Sequence, residues 1–364
     1  MRVAFVLFAV MALSALVSSP QAAAPPVISI QAPQELQAAA LSLWTRARIS
    51  AAPAMTLLVD RSAGGVNVDA LHNGYAIGPT RMKAAGMAAP DAEQIARAAY
   101  PQDWAEEDFA PREPIDVPTG TAGVYTFYDV NTNPALWQIY PHIWDGKLTF
   151  NTPGGPASCS ATVTNGNNIV TAAHCLYDTT ANVWYSDWVF TPAFRNESAP
   201  YGTFPWAGCS VLPAWVNLSG AFNINTWTRH DVAVCTMGNN TAGQTLNEAV
   251  GWAGRLWDAD YRQLNFNSGY PANTYTDDLI TDGPAQYLRA CTHESFQQTT
   301  DTLGGGCFWG RGISGGSWFV GYKPFVPSGW INSVNSGLFL NRQNIYGARF
   351  TSNNIGLLCA ARGC

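Results

Sequence analysis

The sequence predicts an all-β protein built as a sandwich or as barrels, preceded by a partly helical N-terminal segment. Three observations carry this expectation. After residue 120, short β-prone runs alternate with Gly, Asn and Pro turns. All eight cysteines lie in residues 159–364 and none in residues 1–158, so covalent constraint begins abruptly. The roughly 240 residues beyond the junction suit two barrels of ordinary domain size.

The N-terminus comes first. Arg2 is followed by a run from Val3 to Val17 that is apolar except for Ser14, and then by Ala22, Ala23 and Ala24. A short positive region, an apolar run too short for a roughly 20-residue membrane span and small residues at its end make residues 1–24 a secretory signal peptide. An even set of cysteines in an exported chain favours disulfides over free thiols, although sequence alone leaves 105 pairings open.

Residues 25–118 are Ala-rich and lack cysteine. Leu36, Ala39, Ala40, Leu43 and Ala47 recur at helical spacing. A second helix is expected from Asp91, a capping residue with Gln94 three positions on, to Pro101. Pro111, Pro114, Pro118 and Gly120 then form a stiff, turn-prone junction. This segment reads as a propeptide that assists folding or covers an active site; the alternative is a small helical domain retained in the mature chain. The domain expected beyond it spans residues 119–364.

In that domain the expected strands include Val124–Tyr128, Lys147–Phe150, Ser160–Val163, Asn168–Thr171, Val183–Tyr185, Trp188–Phe190, Val232–Val234, Trp318–Val320 and Trp330–Ile331. Charged residues are only 12% of the chain, net charge is −6 and there are three lysines, with no dense basic cluster. A grip on nucleic-acid phosphates is therefore not expected. No later stretch is apolar and long enough to span a bilayer, so no membrane partner is expected after signal removal.

Three local signals occur in order: Thr171-Ala172-Ala173-His174-Cys175 at the end of an apolar strand, Asp231 opening the run Val232-Ala233-Val234, and Gly312-Ile313-Ser314-Gly315-Gly316. Each alone is weak. Together they supply a nucleophile, a base and an orienting acid. A serine hydroxyl needs a base to attack, imidazole accepts its proton, and a carboxylate fixes the imidazole's tautomer. Glycines beside the serine free backbone N–H groups to stabilise an oxyanion. The same glycine pattern fits the nucleophile elbow of α/β-hydrolases, but that fold places its acid and histidine after the serine, and residues 315–364 contain no Asp, Glu or His.

These motifs resemble those of the trypsin/chymotrypsin-like serine proteases, over about residues 140–355. The histidine and serine motifs are the specific part; Asp231 with its strand and Ser333-Val334-Asn335, set against the family's substrate-binding strand, match more loosely. The resemblance implies two six-stranded antiparallel barrels with the active site between them. His174 and Asp231 would stand on the first barrel and Ser314 on the second. It also implies a Cys159–Cys175 disulfide and an oxyanion hole from the Gly312 and Ser314 N–H groups. Ile313 stands where many members carry the Asp that receives a new N-terminal amine, so the chain looks closer to secreted microbial relatives of the glutamyl-endopeptidase kind.

The family's pocket-floor position falls on Phe308, which disfavours recognition of Lys or Arg. Arg311, Ser333 and Asn335 complete the substrate-binding candidates. Cys291 and Cys307 are expected to pair rather than to hold a metal with His293; Cys359 and Cys364 bracket a short loop and are candidates to pair. Asp277, Asp278 and Asp282 read as a polar turn rather than a calcium site, and His230 as structural. The expectation is a monomeric, secreted serine endopeptidase acting on proteins or peptides without a cofactor. An esterase-like acyl hydrolase with the same triad, or a binding protein on a protease scaffold, are the alternatives. N-terminal sequencing of secreted, active material should give a start near the Pro-rich junction; a start near residue 25 in fully active protein counts against the propeptide.

Overall fold

The computed structural model describes residues 27–55, 58–61, 81–83, 125–128, 136–272, 285–307, 310–323, 327–339 and 344–364. Four strands precede the double barrel: β1 (Ile28–Gln31), β2 (Leu58–Asp60), β3 (Arg81–Lys83) and β4 (Tyr125–Tyr128). The first barrel is built from β5 (Asp145–Thr152), β6 (Gly155–Thr164), β7 (Asn168–Thr171), β10 (Ser186–Pro192), β11 (Phe204–Val211) and β12 (Ala233–Met237), with the short hairpin β8 (Tyr177–Asp178) and β9 (Val183–Trp184) beside it. The order is β11-β10-β5-β6-β7-β12, and pairing of β11 with β12 closes it. The second barrel comprises β14 (Leu264–Gly269), β15 (Arg289–Thr299), β16 (Thr302–Gly305), β17 (Ser317–Val320), β18 (Trp330–Phe339) and β19 (Ile345–Ala348), after the lead-in strand β13 (Gly254–Trp257). Its order is β17-β14-β15-β16-β19-β18, closed by β17 on β18. These are the two six-stranded antiparallel barrels that the resemblance implies.

Local chemistry accounts for the strands that carry the site. The run Asn168-Ile169-Val170-Thr171 is β-prone and buried throughout. It is turned back on β6 by Gly166 and Asn167, both at positive φ, where Gly and Asn are tolerated. Cys209 and Cys235 stand opposite one another in the β11–β12 register and form a disulfide, so the seam that closes the first barrel is stapled covalently. Cys159–Cys175, Cys291–Cys307 and Cys359–Cys364 are the other three disulfides. The C-terminal helix Ile355–Arg362 packs beside β11 and β12, where Arg362 donates to the Ser210 hydroxyl at 2.7 Å and to the Cys209 carbonyl.

The N-terminal residues depart from the sequence reading in an informative way. One helix was expected to run through Ala47. Instead Gln34–Leu43 and Arg46–Ala51 are separate helices, because Thr45 caps the second one through its hydroxyl. Trp44 between them is buried and donates its indole N–H to the Asp187 carbonyl at 2.7 Å. The segment is also tied into the barrels: β1 pairs antiparallel with β11, and β2 pairs in parallel with β18. The helix expected over 91–101 lies outside the described residues.

One carboxyl group binds the two barrels together. Asp145 on β5 is buried and accepts hydrogen bonds from Thr162 of the first barrel at 2.6 Å and Ser268 of the second at 2.7 Å, with the Ser317 hydroxyl at 3.2 Å. Burial pushes its pKa from 3.8 up to about 7, against the lowering effect of those hydroxyls. A raised carboxyl pKa means that the fold favours the protonated form. The associated stability is full below pH 3.8 and is lost as pH rises through about 7. Replacing Asp145 by Asn should therefore flatten the fall in unfolding free energy between about pH 4 and 7, a change on the order of a few kcal/mol by denaturant titration.

Candidate active site

His174 lies in the single 3-10 turn Ala173–Cys175 that follows β7, and the Cys159–Cys175 disulfide ties this turn to β6. Asp231 follows the turn Thr228–His230 and leads into β12, which pairs with β7. The two side chains meet because their strands are neighbours. Asp231 Oδ1 accepts the His174 backbone N–H at 2.9 Å, and Oδ2 lies 2.7 Å from His174 Nδ1. One carboxylate thus fixes both the backbone and the ring of the histidine. It is buried completely, and Ser336 Oγ donates to the same Oδ2 at 2.5 Å.

Ser314 sits on the loop before β17 and is buried. This loop is held from both barrels. The Ser160 N–H donates to the Ser314 carbonyl at 2.8 Å, and the Ser160 hydroxyl donates to the Gly312 carbonyl at 2.9 Å. From β18, the Asn335 carbonyl accepts the Gly315 N–H at 2.8 Å. Gly315 has φ +78°, and a Cβ there would lie 2.1 Å from Thr171 Oγ1, 2.3 Å from the Ser160 carbonyl oxygen and 2.9 Å from the Ala172 nitrogen. The loop therefore approaches the strand and turn that carry His174 as closely as a bare backbone allows. Ser314 Oγ and His174 Nε2 make no hydrogen bond in this form, either to each other or to another described group.

The remaining candidates fall into place differently. Phe308 lies outside the described residues, as do Asp277, Asp278 and Asp282. Arg311 is half-buried, and its carbonyl accepts the Ala272 N–H at 2.8 Å. Ser333 is buried against Gly347, across the ladder from Trp318. Asn335 is a brace beneath the serine loop: its amide oxygen accepts from Trp318 Nε1 at 2.7 Å and Asn267 Nδ2 at 2.8 Å, and its Nδ2 reaches the Ile313 carbonyl at 3.3 Å. Ser336, which the sequence reading missed, is the β18 residue that reaches the buried carboxylate. Its only signal is the pair Ser336-Gly337, three residues beyond the looser match at Ser333. His230 accepts from Arg229 Nε at 3.0 Å, and burial together with Arg229 lowers its pKa to about 4. His293 is buried edge-on to Trp318, with its pKa pushed down to about 4 by burial.

Among the described residues, the group with metal-like donor spacing is Cys159, His174 and Cys175. Its two sulfurs are joined to each other, so neither is a thiolate and the donor set does not fit a metal. No helix among the described residues is long and apolar enough to cross a membrane.

Two closed barrels with a His–Asp pair on the first and a glycine-flanked serine on the second define a chymotrypsin-like architecture. Known proteins agree. The fold is similar to that of the protease Anisep from Arthrobacter nicotinovorans, with TM-score 0.50 and 26% identity, covering 60% of this chain and 95% of that one. It is also similar to the thermostable serine protease AL20 from an extremophilic microorganism, with TM-score 0.52, 24% identity and coverage of 61% and 97%. A Glu endopeptidase matches in fold at TM-score 0.51 and 16% identity, covering 65% and 97%. Among curated proteins, an extracellular metalloprotease of Bacillus subtilis (strain 168) is 24% identical over 187 residues, 48% of this chain; the chain spans about half of that protein's length, 53%. No protein-family model matches. The chain thus has the chymotrypsin-like double-barrel fold that these proteases share.

The close approach at Gly315 is directly testable. Gly315→Ala should cost about 2–4 kcal/mol of unfolding free energy, because it adds both a clash and a strained φ. Gly243→Ala, at φ +81° with nothing within 4 Å, carries only the strain and should cost about 1 kcal/mol. Equal losses in denaturant titrations of the two variants would contradict the packing argument.

Proposed function

We propose that the protein is a secreted serine endopeptidase working through His174, Asp231 and Ser314. The observation that carries this reading is the buried Asp231 carboxylate, which holds His174 by backbone and ring while the serine loop is pressed against the same strand and turn. With Nδ1–H donating to Asp231, the lone pair of His174 Nε2 is directed outward as a base. Ser314 Oγ attacks the substrate carbonyl carbon and its proton passes to Nε2. The C=O pair moves onto oxygen, which the Gly312 and Ser314 N–H groups stabilise. The tetrahedral species collapses with loss of the amine, which takes the proton from Nε2. Water then cleaves the acyl-enzyme by the same steps, returning Ser314 to its hydroxyl form.

On this reading residues 1–24 direct export, 25–118 form a propeptide and 119–364 act as a monomeric protease. Substrates are proteins or peptides, and Ile313 in place of a carboxylate argues against activation by a new buried amine. The likeness to solved serine proteases supports the same reading, and the His–Asp pair gives an esterase or a binding scaffold no separate support.

A fluorophosphonate probe should label the secreted, processed protein on Ser314, and Ser314→Ala should abolish both labelling and peptide hydrolysis with the fold retained by circular dichroism. Labelling that survives in Ser314→Ala would overturn the assignment. Asp231→Asn should lower kcat by about 10⁴, the scale seen when the orienting carboxylate of such a triad is neutralised.

A further inference from the structure

Residues 52–55 and 58–60 of the chain itself lie against both barrels, beside the serine loop. Three consecutive stretches of the core receive this segment. At one end the Ser158 N–H donates to the Pro53 carbonyl at 2.8 Å, the Ser158 hydroxyl donates to the same carbonyl at 3.1 Å, and the Met55 N–H donates to the Ser158 carbonyl at 2.8 Å. Lys147 Nζ, buried, reaches the Ala52 carbonyl at 3.4 Å. At the centre the Gly312 N–H donates to the Met55 carbonyl at 3.1 Å, and a Cβ on Gly312 would lie 2.9 Å from that of Ala54. At the other end Leu58, Val59 and Asp60 pair in parallel with Gly337, Leu338 and Phe339 of β18, directly after Ser336. The buried Asp60 carboxylate accepts the Ile224 N–H at 2.8 Å and pins the end of the strand.

The direction of this segment has a chemical consequence. Cys159, next to Ser158, is bonded to Cys175, so the Ser158 end of the cleft is the His174 end. His174 must protonate the departing nitrogen, so a cleavable chain has its leaving side toward Ser158 and its acyl side on β18. Such a chain runs from β18 to Ser158, antiparallel to β18. Residues 52–55 and 58–60 run the other way. The Met55 carbonyl lies on the Gly312 N–H, and the chain arrives there from Ser158 and continues to Leu58 at β18, the reverse of that order.

We propose that residues 52–55 and 58–60 form a built-in inhibitor that occupies the substrate cleft in reverse, placing the Met55 carbonyl oxygen in the oxyanion site while keeping the following bond from being cleaved. The proposal rests on the assignment of Ser314 and Gly312 above. The ligand class for this cleft is thus an extended peptide of reversed polarity, held mainly by backbone hydrogen bonds and by the acid at its end. Ser314 is buried and His174 is 3% exposed while the segment is in place.

The test uses the full-length chain, with Met55→Pro to delete the N–H given to Ser158 and Asp60→Ala to delete the carboxylate at Ile224. Amide hydrogen exchange is followed on the Ser314→Ala background, which prevents self-cleavage. The Ser158, Gly312 and Ile224 amides should be protected in the unaltered segment and exchange about tenfold or more faster in the two variants, the scale of one or two hydrogen bonds. On the Ser314 background, fluorophosphonate labelling of uncleaved chain, checked by intact mass, should rise by a similar factor in each variant. Unprotected Gly312 and Ser158 amides overturn the seating of the segment. Labelling as fast with the segment intact as without it overturns inhibition. Protected amides with no labelling of any form, including processed protein, would leave the seating standing and instead defeat the assignment of Ser314.

Discussion

The structure turns on how close the serine loop comes to the first barrel. Ser160 holds that approach. Its N–H and hydroxyl bind the carbonyls of Ser314 and Gly312, and its hydroxyl oxygen accepts the Tyr270 N–H at 2.8 Å. One residue on β6 thereby fixes the loop that starts β17 and the end of β14, both in the second barrel. Next to it in sequence, Cys159 anchors the His174 turn through the disulfide to Cys175. Two adjacent residues thus reference the serine and the histidine to the same strand. Gly315 is required by the geometry, since any side chain there would occupy the space of Thr171 and Ser160.

Asp231 and Asp145 show two uses of a buried carboxyl group. Asp231 receives two hydrogen bonds from His174 and one from Ser336, so a fully buried carboxyl group is satisfied by donors aimed at it. Asp145 receives hydroxyl donors alone, and burial outweighs them, raising its pKa to about 7. The first arrangement orients an imidazole. The second joins two barrels with a group whose charge depends on pH.

The N-terminal segment adds a strand to each barrel. β1 extends the first barrel at β11, and β2 adds to β18 in the second, so unpaired strand edges are covered by the chain itself. Adding a strand satisfies backbone donors and acceptors whichever way the strand runs. Cleavage has a stricter requirement, because the leaving nitrogen must lie toward His174. On the proposed reading, occupancy and reactivity are separated by polarity alone.

Much of this protein was legible in the sequence. Turn-bounded β-prone runs after residue 120 marked the barrels, and the strand Asn168–Thr171 coincides with β7. The motifs at His174, Asp231 and Ser314 stood out because small residues flank His174 and glycines flank Ser314, and because their order matches one of the known triad orders. What the sequence left open was whatever depends on register or on distant partners. Cys209 and Cys235 pair because β11 and β12 place them opposite each other, which no spacing rule states. Ser336, rather than Ser333, reaches Asp231 because three residues along a strand change both its position and its face. Asp145 reads as an ordinary acid until two barrels bury it. The parallel pairing of residues 58–60 with β18 was hidden for the same reason: local propensity carries no record of polarity relative to a strand nearly three hundred residues away, and only the folded chain brings Met55 to Gly312.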